Sequence, residues 1–148
     1  MSMFSAFNIN ASGLTAQRLR MDVISENVAN ANTTRTADGT PYRRKVVTFA
    51  EKGEQTSFSK VLGNVSRGYT GQGVKVDGIY EDYESEMNKV YDPSHPDADE
   101  NGYVTYPNVN IITEMTNLID ASRAYEANST AFSASKSMAL QGLELSKG

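Results

Sequence analysis

Apolar positions along this chain follow two periods, one helical at both ends and one strand-like between them. Near the start, Phe7, Ala11, Leu14, Met21, Ile24 and Val28 recur at steps of three, four or seven, which places them on one side of a 3.6-residue helix. Gln17, Arg18 and Arg20 interrupt the stripe, and the run then meets Asn27, Asn30 and Asn32. Asn is a poor helix-interior residue and a tolerable left-handed cap, so the helix is expected to end near Asn30.

Toward the other end, Ile111, Met115, Leu118, Ser122, Tyr125, Ser129, Phe132, Lys136, Ala139 and Leu143 step alternately by four and three, a heptad seam. Pro107 precedes it, Asn108 or Asn110 can cap it, and neither Gly nor Pro intervenes before Gly142. One helix of about 35 residues is predicted, roughly 50 Å long at 1.5 Å per residue. Ser122, Ser129 and Lys136 occupy seam positions where Ile or Leu would favour a tight isolated dimer, and small or polar residues there suit close packing among several helices. Two arrangements follow: the terminal helices pair as a private hairpin, or they pair and also pack against neighbouring copies.

Between the helices, 42–49 (YRRKVVTF) and 73–83 (GVKVDGIYEDY) carry β-branched and aromatic residues in partial alternation, and 89–91 and 102–106 read as short strands. The stretch 51–73 is polar and glycine-punctuated, which predicts a long loop. The fold class is therefore α+β: long N- and C-terminal helices packed as a coiled-coil-like hairpin around a small β-rich insert. The expected division is 1–36 for the first helix and its Asn-rich turn, 37–109 for the insert with its loop at 51–73, and 110–148 for the second helix.

Composition sharpens this picture. At 148 residues the chain fits one module, yet 39% hydrophobic residues, no Trp and a mean hydropathy of −0.49 leave little apolar surface for a large globular interior. A net charge of −4 and a pI near 5.0 argue against nucleic-acid binding, which needs clustered cations. Residues 37–110 carry 8 basic and 12 acidic side chains, against 3 and 2 before them and 3 and 4 after, so both ends are almost neutral. The first residues lack a basic region followed by an unbroken apolar core, so a cleaved signal peptide is not expected, and no stretch has the length of a membrane helix.

The inventory of reactive groups is short. There is one His and no Cys, and no carboxylate pair sits in an apolar neighbourhood, so catalysis and cofactor binding are not expected. His95 lies in a turn between Pro93 and Pro96. Asp97, Asp99, Asn101 and Gly102 match the opening of a calcium-binding EF-hand loop, but position 12 is Asn108 rather than Glu and the two prolines oppose an entering helix. A solvated acidic turn is the expectation, with no metal. Arg43, Arg44 and Lys45 form the one cationic triplet and read as a charged, exposed strand; docking onto the acidic 81–86 segment of another copy is the alternative.

Four segments carry a resemblance: 14–34 (LTAQRLRMDVISENVANANTT), 39–49 (GTPYRRKVVTF), 90–110 (VYDPSHPDADENGYVTYPNVN) and 114–145, which contains ASRAYEAN. In order, spacing and total length the chain resembles the FlgC family of proximal rod proteins within the flagellar axial rod and hook proteins. The resemblance covers nearly the whole chain. It implies a non-enzymatic structural subunit that assembles helically with copies of itself and with rod proteins of the FlgB, FlgF, FlgG and FliE types. It further implies passage through the flagellar type III export apparatus, torque transmission, and terminal helices lining the export channel in the cell envelope. Phe7, Leu14, Met21, Ile24 and Val28 on the first helix, and Ile111, Met115, Leu118, Tyr125, Phe132 and Leu143 on the second, are the expected packing and assembly residues. A calcium-dependent or coiled-coil binding module working as a free dimer is the competing class; size in solution separates the two.

Overall fold

Helix α1 spans Met3–Ala29, 27 residues in which Gly13 is the one glycine and there is no proline. It stops where the sequence stops favouring it: the Asn30 side chain donates to the Glu26 carbonyl at 2.9 Å, and Thr33 N–H donates to the Asn30 carbonyl at 3.0 Å, tightening the chain into a turn. Among the described residues no non-glycine has positive φ, so Asn30 ends the helix through its side chain and not as a left-handed cap. The computed structural model describes residues 3–53 and 71–145, with the Met3 and Phe4 side chains left aside; most of the expected 51–73 loop lies outside the described residues.

Four strands follow: β1 (Lys45–Glu51), β2 (Val74–Glu81), β3 (Asn88–Tyr91) and β4 (Tyr103–Tyr106). β1 pairs with β2, and bonds from Asp82 N to Arg44 O and from Lys52 N to Gly73 O, each 2.8 Å, fix the antiparallel direction. β3 and β4 form a second antiparallel pair, with Val90 opposite Val104 and Tyr91 opposite Tyr103. The ladder of β1 starts three residues later than its sequence suggests. Tyr42 N–H bonds Thr33 O at 3.0 Å and Arg44 N–H bonds the Asn108 side chain at 2.9 Å, so these groups serve other segments instead of β2.

Helix α2 is a single run of 35 residues, Ile111–Leu145. Asn110 is its N-cap, its Oδ1 accepting from Ile112 N–H at 3.0 Å and Thr113 N–H at 3.2 Å. The architecture is thus α+β, two long terminal helices with a small insert of short antiparallel strands between them.

The chain forms two compact units, each drawn from segments far apart in sequence. Unit 1 comprises 1–19, 49–77 and 122–148; unit 2 comprises 20–48 and 78–121. Within unit 1, Phe7 meets Phe132 edge to face at a ring separation of 5.1 Å, and a Cβ on Gly13 would lie 2.7 Å from the Asn128 side-chain oxygen. Pairing of 7 with 132 and of 13 with 128 sets α1 and α2 antiparallel there. Gly73, at φ +100°, leads into β2; Ser12 Oγ accepts from Val74 N–H at 3.1 Å, and a Cβ on Gly73 would fall 2.3 Å from that oxygen. Within unit 2 the interior holds Val23, Ile24, Ala31, Tyr42, Val104, Val109 and Ala121, with Asn27 and Glu114 among them.

Candidate functional site

The two helices treat their expected packing residues differently. On α1, Ile24 is buried and Phe7, Leu14, Met21 and Val28 are half-buried. On α2, Leu118 and Phe132 are half-buried, whereas Ile111, Met115, Tyr125 and Leu143 are exposed. The covered face of α2 does repeat every seven residues, but it joins Leu118, Phe132 and Ala139, with Tyr125 exposed between them, to the column Glu114, Ala121, Asn128, Ser135. The second column stands one residue before the expected Met115, Ser122, Ser129, Lys136. Its residues are small or polar, which suits the close approach recorded at Gly13 and Asn128.

Large apolar side chains are thereby left on the outside of α2. In unit 2, Ile112 is 77% exposed and Met115 55%, with Ile111 and Ile119 beside them; in unit 1 Met138, Leu140, Leu143 and Leu145 are exposed as well. A groove of about 660 Å³ runs beside Ile111 and Ile112, walled by Ser85, Glu86, Asn88, Asn108 and Val109.

Polar groups concentrate instead inside unit 2, around Asn27 and Glu114, each about 1% exposed. Asn27 uses all four hydrogen-bonding positions of its amide. Its Nδ2 donates to the Lys45 carbonyl at 2.8 Å and to Glu114 Oε2 at 2.9 Å, while its Oδ1 accepts from Lys45 N–H and from the Tyr42 hydroxyl, both at 2.9 Å. Glu114 Oε1 accepts from Arg44 Nε and Nη2, each at 2.9 Å. Arg44 also reaches Asp82 at 3.5 Å, and Asn108 Nδ2 donates to the Asp82 carbonyl at 2.9 Å. A closed circuit results: α1 through Asn27, α2 through Glu114, and the start of β1 through Arg44 and Lys45. Burial first, and then the charges of Glu26, Glu114 and Glu81, push the Tyr42 phenol up to about 12, so it remains a donor across the physiological range. Asp82 is held below the usual carboxylate range, chiefly by the Ser85 backbone and hydroxyl, with Arg44 a smaller contributor.

This corrects the reading of the cationic triplet as an exposed charged strand. Arg44 is drawn inward by two carboxylates of its own chain, Arg43 stacks 4.2 Å over the Tyr83 ring, and Lys45 pairs with Glu26. Sequence periodicity passed over Asn27 and Glu114, yet it held a signal for the first: Asn27 falls three and four residues after Ile24 and Val23, so it occupies an apolar stripe as a polar residue.

In the acidic turn, Asp97 Oδ2 accepts from Thr34 Oγ1 at 2.8 Å and Asp97 Oδ1 lies 3.6 Å from Arg35, while Asp99 Oδ1 accepts from Asn101 N–H at 2.9 Å and Tyr103 N–H at 2.8 Å. These carboxylates hold the turn between β3 and β4. His95 Nδ1 accepts from Asp97 N–H at 3.1 Å. Among the described residues no three His, Cys, Asp or Glu side chains converge as a metal-holding group.

Comparison with known proteins places these elements. Residues 7–35 match the family described as flagella basal body rod protein, and residues 100–145 match the flagellar basal body rod FlgEFG protein C-terminal family. The matched spans cover α1 from Phe7 onward with its Asn-rich turn, and β4 with α2. A Bacillus subtilis flagellar basal-body rod protein FlgC is 48% identical over 99% of this chain and 100% of its own length. The FlgC of Borreliella burgdorferi is 46% identical over the full length of both chains, and that of Salmonella typhimurium 39% over 98% of each.

Proposed function

Since the chain belongs to the FlgC family of flagellar basal-body rod proteins, and is a structural subunit of that rod and not an enzyme, we propose that it joins neighbouring subunits helically through the outward face of α2. Association with other rod components follows from the family. The finer assignment is that copies of itself and proteins of the FlgB, FlgF, FlgG and FliE types are those neighbours, that the assembly transmits torque and surrounds the export channel, and that the subunit arrives through the flagellar type III apparatus. Its place is the basal body, and more finely the periplasmic part of the envelope where an outer membrane exists. Among the described residues no helix is long and apolar enough to cross a membrane.

One observation carries this reading: the apolar side chains of α2 lie mostly outside its covered face. Ile111, Ile112, Met115 and Ile119 expose their side chains in two adjacent turns beside an open groove, where water contact is unfavourable by about 25 cal/mol per Å² of apolar surface. Docking of a neighbouring subunit removes that surface from water.

Deletion of the gene in its host, scored by swimming and by electron microscopy of isolated basal bodies, tests the proposal. Non-motile cells with rings but no completed rod, restored by the intact gene, are expected. Intact rods and normal swimming would remove its basis.

A further inference from the structure

We infer that Arg44 is a positioning residue for a helix to which its guanidinium makes no hydrogen bond among the described residues, holding the end of α1 in place through Glu114 and Asn27. Among the described residues its guanidinium bonds Glu114 of α2 and Asp82 beyond β2, and neither group belongs to α1. The effect passes along the circuit. An amide side chain such as Asn27 has two orientations of the same shape, and turning it over would set its oxygen against both the Lys45 carbonyl and Glu114 Oε2. Glu114 therefore reinforces the orientation that the Lys45 N–H and carbonyl also require. Glu114 has two oxygens of its own, and Arg44 engages Oε1 through two nitrogens, leaving Oε2 directed at Asn27.

Without Arg44, a carboxylate about 1% exposed loses its counter-charge, and Oε1 keeps only a long 3.4 Å bond from Asn117 Nδ2. The least costly relief is entry of water between the end of α1 and the start of α2, which separates Asn27 from Glu114 and then from Lys45. Arg44 and Lys45 are adjacent in sequence, so a single dipeptide grips α2 by a side chain and α1 by its backbone. Docking of α1 in unit 2 is consequently conditional on the start of β1. Asp82, Arg44's other partner, stands outside the circuit and bonds its own turn through Ser85 and Glu84.

Native-state hydrogen exchange on the full-length protein, read by mass spectrometry, tests this. Arg44→Ala should raise exchange at least about tenfold across residues 20–29 of α1. Asp82→Asn should leave those residues near their wild-type rates. Arg44→Ala combined with Glu114→Gln, which removes the stranded charge, should recover part of the protection on α1. The inference fails if Arg44→Ala loosens β1 and α2 alone, or if Asp82→Asn releases α1 equally. Should Arg44→Ala unfold the chain throughout, the double variant decides: slower exchange at 20–29 than in the single variant supports the circuit, and equal exchange overturns it.

Discussion

Asn27 and Glu114 meet across 2.9 Å in the interior of unit 2, each the deepest polar side chain of its own helix. Replacing Asn27 by Ala withdraws partners from Lys45 N–H, the Lys45 carbonyl, the Tyr42 hydroxyl and Glu114 at once. A loss of about 2 to 3 kcal/mol in urea denaturation is expected. Asn27→Asp should cost more, about 3 to 5 kcal/mol at neutral pH, because it sets a second carboxylate against Glu114 and the Lys45 carbonyl. Equal stability of the Asp variant and wild type would show that the amide nitrogen is not needed.

Tyr42 predicts an alkaline limit. Its folded pKa, about 12, lies above the ordinary 10.0, so the neutral phenol is favoured by folding. Its contribution is fully present below pH about 10 and is lost as pH rises through 12, amounting to at most about 2 to 3 kcal/mol. Tyr42→Phe should cost about 1 kcal/mol at pH 7, since Asn27 Oδ1 keeps Lys45 N–H, and should flatten the fall in stability between pH 10 and 12. Parallel alkaline curves for the two proteins would contradict the assignment.

Phe132 is half-buried and meets Phe7 edge to face, so its truncation should cost less than removal of a fully enclosed ring. About 2 kcal/mol is expected for Phe132→Ala, with Phe7→Ala similar and the double variant less costly than their sum by about 1 kcal/mol. Calorimetry of the four proteins closes this cycle, and strict additivity would mean the rings do not act together. Swimming in soft agar should decline with the single variants.

The outward face of α2 predicts the opposite pattern. Ile112→Ser and Met115→Ser, at side chains 77% and 55% exposed, should change the melting temperature of the isolated subunit by no more than about 2 °C. The same strains should fail to complete the rod. Full motility in both would argue against that face as the joining surface.

The helices were legible because their apolar residues keep one period for many turns, and Asn110 caps α2 where Pro107 and the Asn-rich run pointed. The seam of α2 was half legible. Leu118 and Phe132 announce it by size, while Ala121, Asn128 and Ser135 do not, because a face that admits a second backbone closely must be built from residues that look unremarkable in a hydrophobicity pattern. The strands showed in their β-branched and aromatic content. The start of β1 did not, since the partners of Tyr42 and Arg44 are Thr33 and Asn108, brought close only by folding. The same non-locality hid the circuit: nothing local told that two carboxylates wait beside Arg44.

β1 pairs with β2 along one side, and a strand's other side ordinarily offers bare donors and acceptors to any extended chain that passes. At Lys45 both of those groups are already taken, by the amide of a helical residue standing in for a neighbouring strand. One side chain thus closes the first rung of an open edge, which denies stray chains the place where edge-to-edge aggregation would begin.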